Sequence, residues 1–366
     1  LWQLVIPQLQ TSGKVYNLGR YCYGVCSTPA VEGARLYVVS SRDELLCLDT
    51  LGRANGNDGP FKDESRYMSD GDHPPVSLGR TDADIIWRLD MIANKDIAAC
   101  PHDAADCSVL ILGNYLYVCP SNGLDKSHKY IPRPNAPSLI AVDKRTGRVV
   151  ARDRAKAAPR VFHGEWSSPS TGKVGGRALI FHGGGDGVCY AFDANPTPPA
   201  RGQRIGTLKT VWRFDVNAAA GRKGNYKSKT GPSEIIGTPV FYKNRVYVAT
   251  GQDPTHGEGR GALACIDAPQ VGEITKSGRV WVFTDIGRSM STVAILDDLL
   301  YAADNSGMVY CIDANTGKLY WKHDTQQRIC SSTFVADGKV YVGTDRGDLW
   351  VFAVGKTRRL LNTVHL

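Results

Sequence analysis

Residues 311–321 read Cys311-Ile312-Asp313-Ala314-Asn315-Thr316-Gly317-Lys318-Leu319-Tyr320-Trp321. The run from Asp313 to Gly317 has the composition of a tight turn, because Asp and Asn side chains cap nearby backbone and Gly accepts positive φ. Apolar residues precede this turn, and a second apolar segment ending at Trp321 follows it. The stretch therefore predicts two antiparallel strands joined by a turn.

This hairpin closes a unit of four short strands. An inner strand at residues 291–295, a second at 299–303 and a third at 308–312 precede the fourth, and Asp, Asn or Gly residues separate them. A second copy of the unit starts at Ser331, about forty residues after the first, which is the usual period of a β-propeller blade. Four strands within that period indicate one blade.

Six copies of the unit can be recognised in this chain. Their fourth strands carry a large ring at matching places, namely Trp87, Trp212, Trp281 and Trp321, whereas the second copy has Ala151 there. Such a ring can pack between neighbouring blades. One blade cannot bury both faces of its sheet, so the copies must stack against one another. The sequence therefore predicts an all-β fold, a β-propeller of four-stranded antiparallel blades.

We expect a single propeller domain over residues 1–366, with residues 52–81 as a surface insertion. Trp2 resembles the tryptophan of an orphan fourth strand, while the sixth copy has its own fourth strand at residues 360–364. We therefore expect the parent chain to continue past Leu366 and to contain seven or eight blades when complete.

Composition excludes two classes of protein. No stretch approaches the roughly 18 consecutive apolar residues of a membrane helix, so no transmembrane segment is expected. The formal net charge of +8 is spread over the sequence without a nucleic-acid-binding motif. This pattern indicates a solvated basic surface, and no nucleic-acid partner is predicted.

The Asp-x-x-Thr-Gly turn followed by Trp321 resembles the repeat signature of the PQQ-binding-like propellers. Residues 141–151 match the same signature except for the tryptophan. That family includes quinone-dependent alcohol and sugar dehydrogenases and also cofactor-free members, such as a periplasmic scaffold lipoprotein of outer-membrane assembly. The resemblance implies an exported bacterial protein, periplasmic or extracellular, but it leaves the function open.

Two functions follow from this resemblance. The alcohol-dehydrogenase branch carries a vicinal Cys-Cys disulfide beside the quinone, and this chain has neither adjacent cysteines nor a Cys-x-x-Cys-His haem motif. We therefore favour a non-catalytic binding or scaffold module for a protein partner or a small-molecule ligand, with no cofactor assigned. The alternative is a PQQ-dependent oxidoreductase that uses PQQ with Ca²⁺ and acts on alcohols or sugars. A metal-assisted hydrolase or lyase is a third hypothesis, and no catalytic residue can be assigned for any of them.

The histidines collect in one class of loop. These loops join a fourth strand to the next inner strand, or a second strand to a third, and in a propeller they emerge on one face, called here the loop-rich face. His128 lies in one of them. The candidate ligand-binding residues in these loops are His102, Asp103, His163, Glu165, Trp166, His182, Asp186, Asp253, His256 and Glu258.

Two interpretations of these candidates remain open. They could line a ligand or metal pocket, since function concentrates in loops that a rigid scaffold holds. Alternatively, they hold the loops together by hydrogen bonds. No spacing among them matches a recognised metal motif, so no metal ligand is assigned. Cys100 and Cys107 flank one loop and could form a disulfide, bind a metal or remain thiols.

Overall fold

The computed structural model describes residues 1–9, 24–69 and 71–366. Their strands form six sheets, and each sheet contains four antiparallel strands in chain order. The chain divides into two compact units. Unit one contains residues 1–169 and 195–209, and unit two contains residues 170–194 and 210–366. The predicted all-β class and the four-stranded antiparallel repeat are confirmed.

The first two sheets belong to unit one. The first sheet consists of β1 (Ala30–Glu32), β2 (Arg35–Val39), β3 (Glu44–Asp49) and β4 (Ile85–Asp90). A 3₁₀ turn (Gly52–Asn55) and helix α1 (Glu64–Tyr67) lie between β3 and β4. The second sheet consists of β5 (Leu110–Leu112), β6 (Tyr115–Val118), β7 (Ile140–Asp143) and β8 (Val149–Asp153), followed by a 3₁₀ turn (Ala158–Arg160).

The third and fourth sheets each have an interruption between their last two strands. The third contains β9 (Ser170–Val174), β10 (Arg177–Gly183), β11 (Val188–Asp193) and, as its fourth strand, β13 (Thr210–Asp215). Strand β12 (Gly206–Leu208) precedes β13 in the chain, and helix α2 (Val216–Ala219) follows it. The fourth contains β14 (Val240–Tyr242), β15 (Arg245–Thr250), a 3₁₀ turn (Pro254–His256) and β16 (Ala262–Asp267), then, after β17 (Gly272–Glu273), the fourth strand β18 (Arg279–Phe283).

The last two sheets are the most regular. The fifth contains β19 (Ala294–Leu296), β20 (Leu299–Ala303), β21 (Met308–Asp313) and β22 (Leu319–Asp324). The sixth contains β23 (Phe334–Ala336), β24 (Lys339–Gly343), β25 (Asp348–Ala353) and β26 (Leu360–His365). The second, third and fourth strands of the fifth sheet agree with the repeat predicted from residues 291–325, whereas its inner strand begins at Ala294, three residues later than predicted.

Strand β12 lies between two strands of the third sheet in the chain but joins the second sheet. Strand β17 lies between two strands of the fourth sheet but joins the third. β12 pairs in parallel with β8, and β17 pairs in parallel with β13. Each therefore adds a fifth strand beside the fourth strand of a sheet, where the backbone would otherwise present an unpaired edge.

The fourth-strand tryptophans dock on the following sheet. Each indole Nε1–H donates to a backbone carbonyl at or just after the end of that sheet's third strand. The four bonds, of 3.0–3.2 Å, join Trp87 to Lys144, Trp212 to Ala268, Trp281 to Ala314 and Trp321 to Gly355. The predicted role of these rings between neighbouring blades is confirmed.

The glycine of the Thr-Gly turn is required by the same contact. Gly147 and Gly317 have φ of 70° and 74°, a region that residues with a Cβ rarely adopt. A Cβ on Gly147 would lie 2.6 Å from the Trp87 ring, and one on Gly317 would lie 2.8 Å from the Trp281 ring. The Thr-Gly and Trp of the repeat signature are therefore coupled across adjacent sheets.

Trp2 makes an equivalent contact with the first sheet. Its Nε1 donates to the Thr50 carbonyl at 2.8 Å, and a Cβ on Gly52 would lie 2.7 Å from its ring. Trp2 thus occupies the place of a fourth-strand tryptophan, as its sequence context indicated. The continuation of the chain into further blades stays a prediction.

Tyr247, on the second strand of the fourth sheet, contributes less to the docking between sheets than Trp281 does. The Tyr247 hydroxyl donates at 3.1 Å to the Ala314 carbonyl, which also accepts from Trp281. We expect Tyr247→Phe to lower the free energy of unfolding by only about 0.5–1.5 kcal/mol, because the indole still satisfies the carbonyl. Urea denaturation followed by circular dichroism measures this change. Tyr341→Phe is the matched control with an effect near zero, and a Tyr247→Phe loss no larger than that control's would contradict the assignment.

Residues 52–81 are anchored to the first sheet through α1. Glu64, Tyr67 and Met68 are buried, and the Tyr67 hydroxyl donates to Glu44 Oε2 at 2.7 Å. The insertion therefore contributes side chains to the core as well as to the surface. No helix in the described part of the chain is long and apolar enough to cross a membrane.

Candidate functional site

Three loops of unit one lie side by side. Gly123 N–H donates to the Cys100 carbonyl at 2.9 Å, and Leu124 N–H donates to the His163 carbonyl at 2.9 Å. A Cβ on Gly123 would lie 2.6 Å from the His163 carbonyl oxygen and 2.8 Å from the Cβ of His102. Only glycine therefore lets the middle loop approach both neighbours this closely.

This pairing brings three histidines together. The ring centroid of His102 lies 4.5 Å from that of His128 and 4.3 Å from that of His163, and the centroids of His128 and His163 are 5.1 Å apart. One ring nitrogen from each residue lies within 4.8 Å of the other two. His102 and His163 are buried, with 0% and 2% exposure, while His128 is half-buried.

The tautomer of His102 is determined by its surroundings. Its Nδ1 lies 2.8 Å from the Leu124 carbonyl oxygen, which can only accept, so Nδ1 carries the proton. In the neutral ring Nε2 then holds a lone pair, and it lies 3.6 Å from Asp103 Oδ2. Burial lowers the pKa of His102, although the Asp103 carboxylate opposes this shift. In the neutral ring, Nε2 is therefore the nitrogen whose lone pair can bind a metal ion.

The other two histidines are also held in place. The His163 ring meets the Trp166 ring edge-on at 5.2 Å, and Trp166 Nε1 donates to the His102 carbonyl at 3.1 Å. His128 sits in a turn where its N–H donates to the Asp125 carbonyl at 2.9 Å. Asp125 Oδ1 accepts the backbone N–H groups of residues 129 and 130 in the same turn. Contacts with neighbouring rings and backbone therefore hold the segments that carry His128 and His163.

The ten predicted site residues are divided between the units. His102, Asp103, His163, Glu165 and Trp166 lie in unit one, and His182, Asp186, Asp253, His256 and Glu258 lie in unit two. Glu165, two residues after His163 in the sequence, is fully buried, and its backbone N–H donates to the Asn122 carbonyl at 3.1 Å. That all ten serve one ligand site stays a prediction.

Two candidates in unit two lie in or just after strand β10. His182 is fully buried within β10, where it pairs with Tyr190 of β11, so its assignment to the loop that follows is wrong. Burial lowers the pKa of His182 to about 4. Asp186 accepts hydrogen bonds from the Tyr190 hydroxyl at 2.7 Å and from Val188 N–H at 3.2 Å. The two Asp186 contacts agree with the interpretation that some of these residues hold the loops together.

The loop 251–261 combines a structural and an exposed part. Asp253 caps its 3₁₀ turn by accepting Thr255 N–H at 2.7 Å, and the His256 ring meets the Tyr226 ring edge-on at 5.5 Å. Glu258 instead is exposed and lines a polar cavity of about 480 Å³. The loops around this cavity all belong to the class that was assigned to the loop-rich face.

The cavity contains charged residues that were not predicted. Arg328, Asp345 and Arg346 line it together with Glu258, and Asn305 and Ser306 add neutral hydrogen-bonding groups. The two arginines lie in short ordinary turns, so residue type alone did not distinguish them. Their position in the same class of loop as the histidines is the signal that could have found them.

The two loop cysteines are separate thiols. Cys100 and Cys107 are both buried and free, so the disulfide alternative is not realised. Cys107 Sγ accepts Cys119 N–H at 3.1 Å and lies 3.2 Å from the Ser108 carbonyl. Burial raises the pKa of both thiols, to about 11 for Cys100 and about 12 for Cys107. They are protonated and unreactive near neutral pH.

Comparison with known proteins agrees with the repeat signature. A family model described as outer membrane protein assembly factor BamB matches residues 260–361. The crystal structure of BamB from Moraxella catarrhalis is similar over 93% of this chain and 74% of that chain, with 14% sequence identity and a TM-score of 0.52. The computationally designed protein Ika8 is similar over 93% and 76%, with 10% identity and a TM-score of 0.51. No curated protein sequence matches this chain significantly. The structural similarity shows that the chain has a β-propeller fold, and the family match assigns PQQ-like repeats to residues 260–361.

Proposed function

We propose that this chain is an exported, non-catalytic binding module that holds a polar segment of a protein partner on its loop-rich face. The observation that carries this proposal is the polar cavity of about 480 Å³ in unit two. The side chains of Glu258, Arg328 and Arg346 make no hydrogen bond or ion pair with any residue that the structure describes. Their charges are therefore available to a ligand.

The chemistry of the cavity favours a peptide over an apolar molecule. Two guanidinium groups, Arg328 and Arg346, stand with two carboxylates, Glu258 and Asp345, in one lining. Arginine is enriched at protein interfaces, because its planar fork binds carboxylates with two hydrogen bonds. A segment that carries both acidic and basic side chains would match this lining. The volume lies within the range of ordinary ligand sites.

The family match supports the same proposal. The description of the matching model names an outer membrane protein assembly factor. Export and a protein partner are proposed for this chain on that basis. A propeller also suits the role, since its sheets are a rigid scaffold on which loops can vary.

Photocrosslinking in cells that naturally produce the chain tests the proposal. A photoreactive amino acid replaces Glu258 or Arg346 in the cavity, and in the control it replaces Lys318 in the turn between β21 and β22. We expect a discrete crosslinked envelope protein from both cavity positions and none from Lys318. Arg328→Glu should abolish the crosslink formed at position 258.

Three results would overturn the proposal. The first is equal crosslinking from Lys318 and from the cavity positions, and the second is recovery of the chain only in the cytoplasmic fraction. The third is reduction of a dye by alcohols or sugars after PQQ and Ca²⁺ are added, which would support the quinone-dependent oxidoreductase instead.

A further inference from the structure

We propose that His102, His128 and His163 of unit one bind a divalent transition-metal ion of the zinc type. None of these three residues lines the cavity of the proposed function. The metal site is carried by the convergence of three imidazoles from three loops that are well separated in sequence.

The distances are close to those of a metal site. One nitrogen from each ring lies within 4.8 Å of the other two. Ligand nitrogens around tetrahedral zinc are about 3.3 Å apart, given Zn–N bonds of about 2.0–2.1 Å. Small side-chain rotations, chiefly of the half-buried His128, would bring the three nitrogens to this spacing.

The surroundings of His102 match those of a metal-bound histidine. A metal-ligating imidazole usually donates its other N–H to a carbonyl or carboxylate, which fixes the ring and its tautomer. His102 donates Nδ1–H to the Leu124 carbonyl at 2.8 Å. Its Nε2 is fully buried and makes no hydrogen bond with any described residue. Buried polar atoms without a hydrogen bond are uncommon, and a metal ion would satisfy this one.

Charge and ligand type indicate which ion would bind. Asp103 Oδ2 lies 3.6 Å from Nε2 of His102, so a carboxylate stands beside the site and can offset part of the charge of a divalent ion. Imidazole ligands suit zinc, copper, nickel and cobalt, whereas calcium and magnesium prefer oxygen ligands. Three histidines leave a fourth position for Asp103 or water.

Metal binding by the purified chain tests the inference. The chain is stripped with a chelator, dialysed against ZnCl₂ in one set and CoCl₂ in another, and assayed for bound metal and for visible cobalt absorption. We expect one tightly bound zinc ion per chain and the absorption bands of cobalt with nitrogen ligands. CaCl₂ in the same assay should give no stoichiometric binding.

The variants assign the binding to the three rings. His128→Ala removes a half-buried ligand on a surface turn and should weaken zinc binding at least about tenfold, and Asp103→Asn should weaken it less. His365→Ala, in the exposed part of unit two, is the matched control and should bind zinc like the unaltered chain. Circular dichroism and urea midpoints of the stripped proteins confirm that each variant is folded. Absence of stoichiometric zinc in the unaltered chain, or unchanged zinc affinity in folded His128→Ala, would overturn the inference.

Discussion

Replacing Trp212 with alanine is expected to lower the free energy of unfolding by about 3–5 kcal/mol. The indole is completely buried, and its ring lies 5.8 Å from the ring of Phe181. Its Nε1–H donates to the Ala268 carbonyl of the following sheet at 3.0 Å. Truncation would therefore leave a cavity between two sheets of unit two and remove a buried hydrogen bond at the same time.

Urea denaturation monitored by far-ultraviolet circular dichroism measures this loss, because the signal does not depend on the tryptophan that is removed. Trp350→Ala is the matched control. Trp350 lies on the third strand of the sixth sheet, is half-buried and donates no hydrogen bond within the described chain. We expect Trp212→Ala to be clearly the more destabilising change. Equal losses for the two variants would show that docking between sheets does not depend on the repeated tryptophan.

The second large effect is a pH dependence that originates at His182. Burial lowers its pKa from 6.5 to about 4. Above pH 6.5 the ring is neutral in both folded and unfolded chains. Between pH 6.5 and 4 the unfolded chain binds a proton that the folded chain does not, so stability is lost as the pH falls through this window. The full loss corresponds to about 3 kcal/mol.

Comparison with His182→Gln isolates this contribution. Glu234 acts in the opposite direction, because burial raises its pKa to about 8 and stability is lost as the pH rises from 4.5 to 8. Glu234 is present in both proteins, so its contribution cancels in the difference between them. We expect the variant to gain about 3 kcal/mol relative to the unaltered chain between pH 7 and pH 4. Parallel curves of stability against pH would contradict the assignment.

The parts of the fold that follow from local chemistry could be predicted from the sequence. The turn at residues 313–317 predicts its hairpin, because Asp313 accepts the N–H groups of Asn315 and Thr316 and Gly317 takes a positive φ. The place of Trp321 could also be predicted, since a large ring at a fixed position of a repeat needs a neighbouring sheet.

The parts that depend on distant segments could not be predicted. Strands β12 and β17 lie in polar connections with no alternating apolar pattern, and each forms only because the fourth strand of another sheet offers its edge. Residues 52–81 have the composition of a surface loop, yet Tyr67 reaches buried Glu44. No periodic pattern in the sequence predicts such a contact.

The histidine cluster was partly predictable. His102 and His163 were selected because they lie in loops of the predicted loop-rich face, and they do converge. His128 lies in the same class of loop but was left out of the candidate set, since nothing local shows which ring reaches the other two. The convergence depends on Gly123, whose missing side chain lets three loops pair. In unit two, the contacts of Asp186 with Tyr190 and Val188 show that buried polar residues in loops can also serve the fold.

The zinc site is tested most directly by an anomalous diffraction map at the zinc absorption edge from crystals of the chain grown with zinc. We expect a strong peak bonded to one nitrogen each of His102, His128 and His163, at about 2.0–2.1 Å. Well-ordered imidazoles of these three residues that point away from one another, with no anomalous density among them, would contradict this expectation.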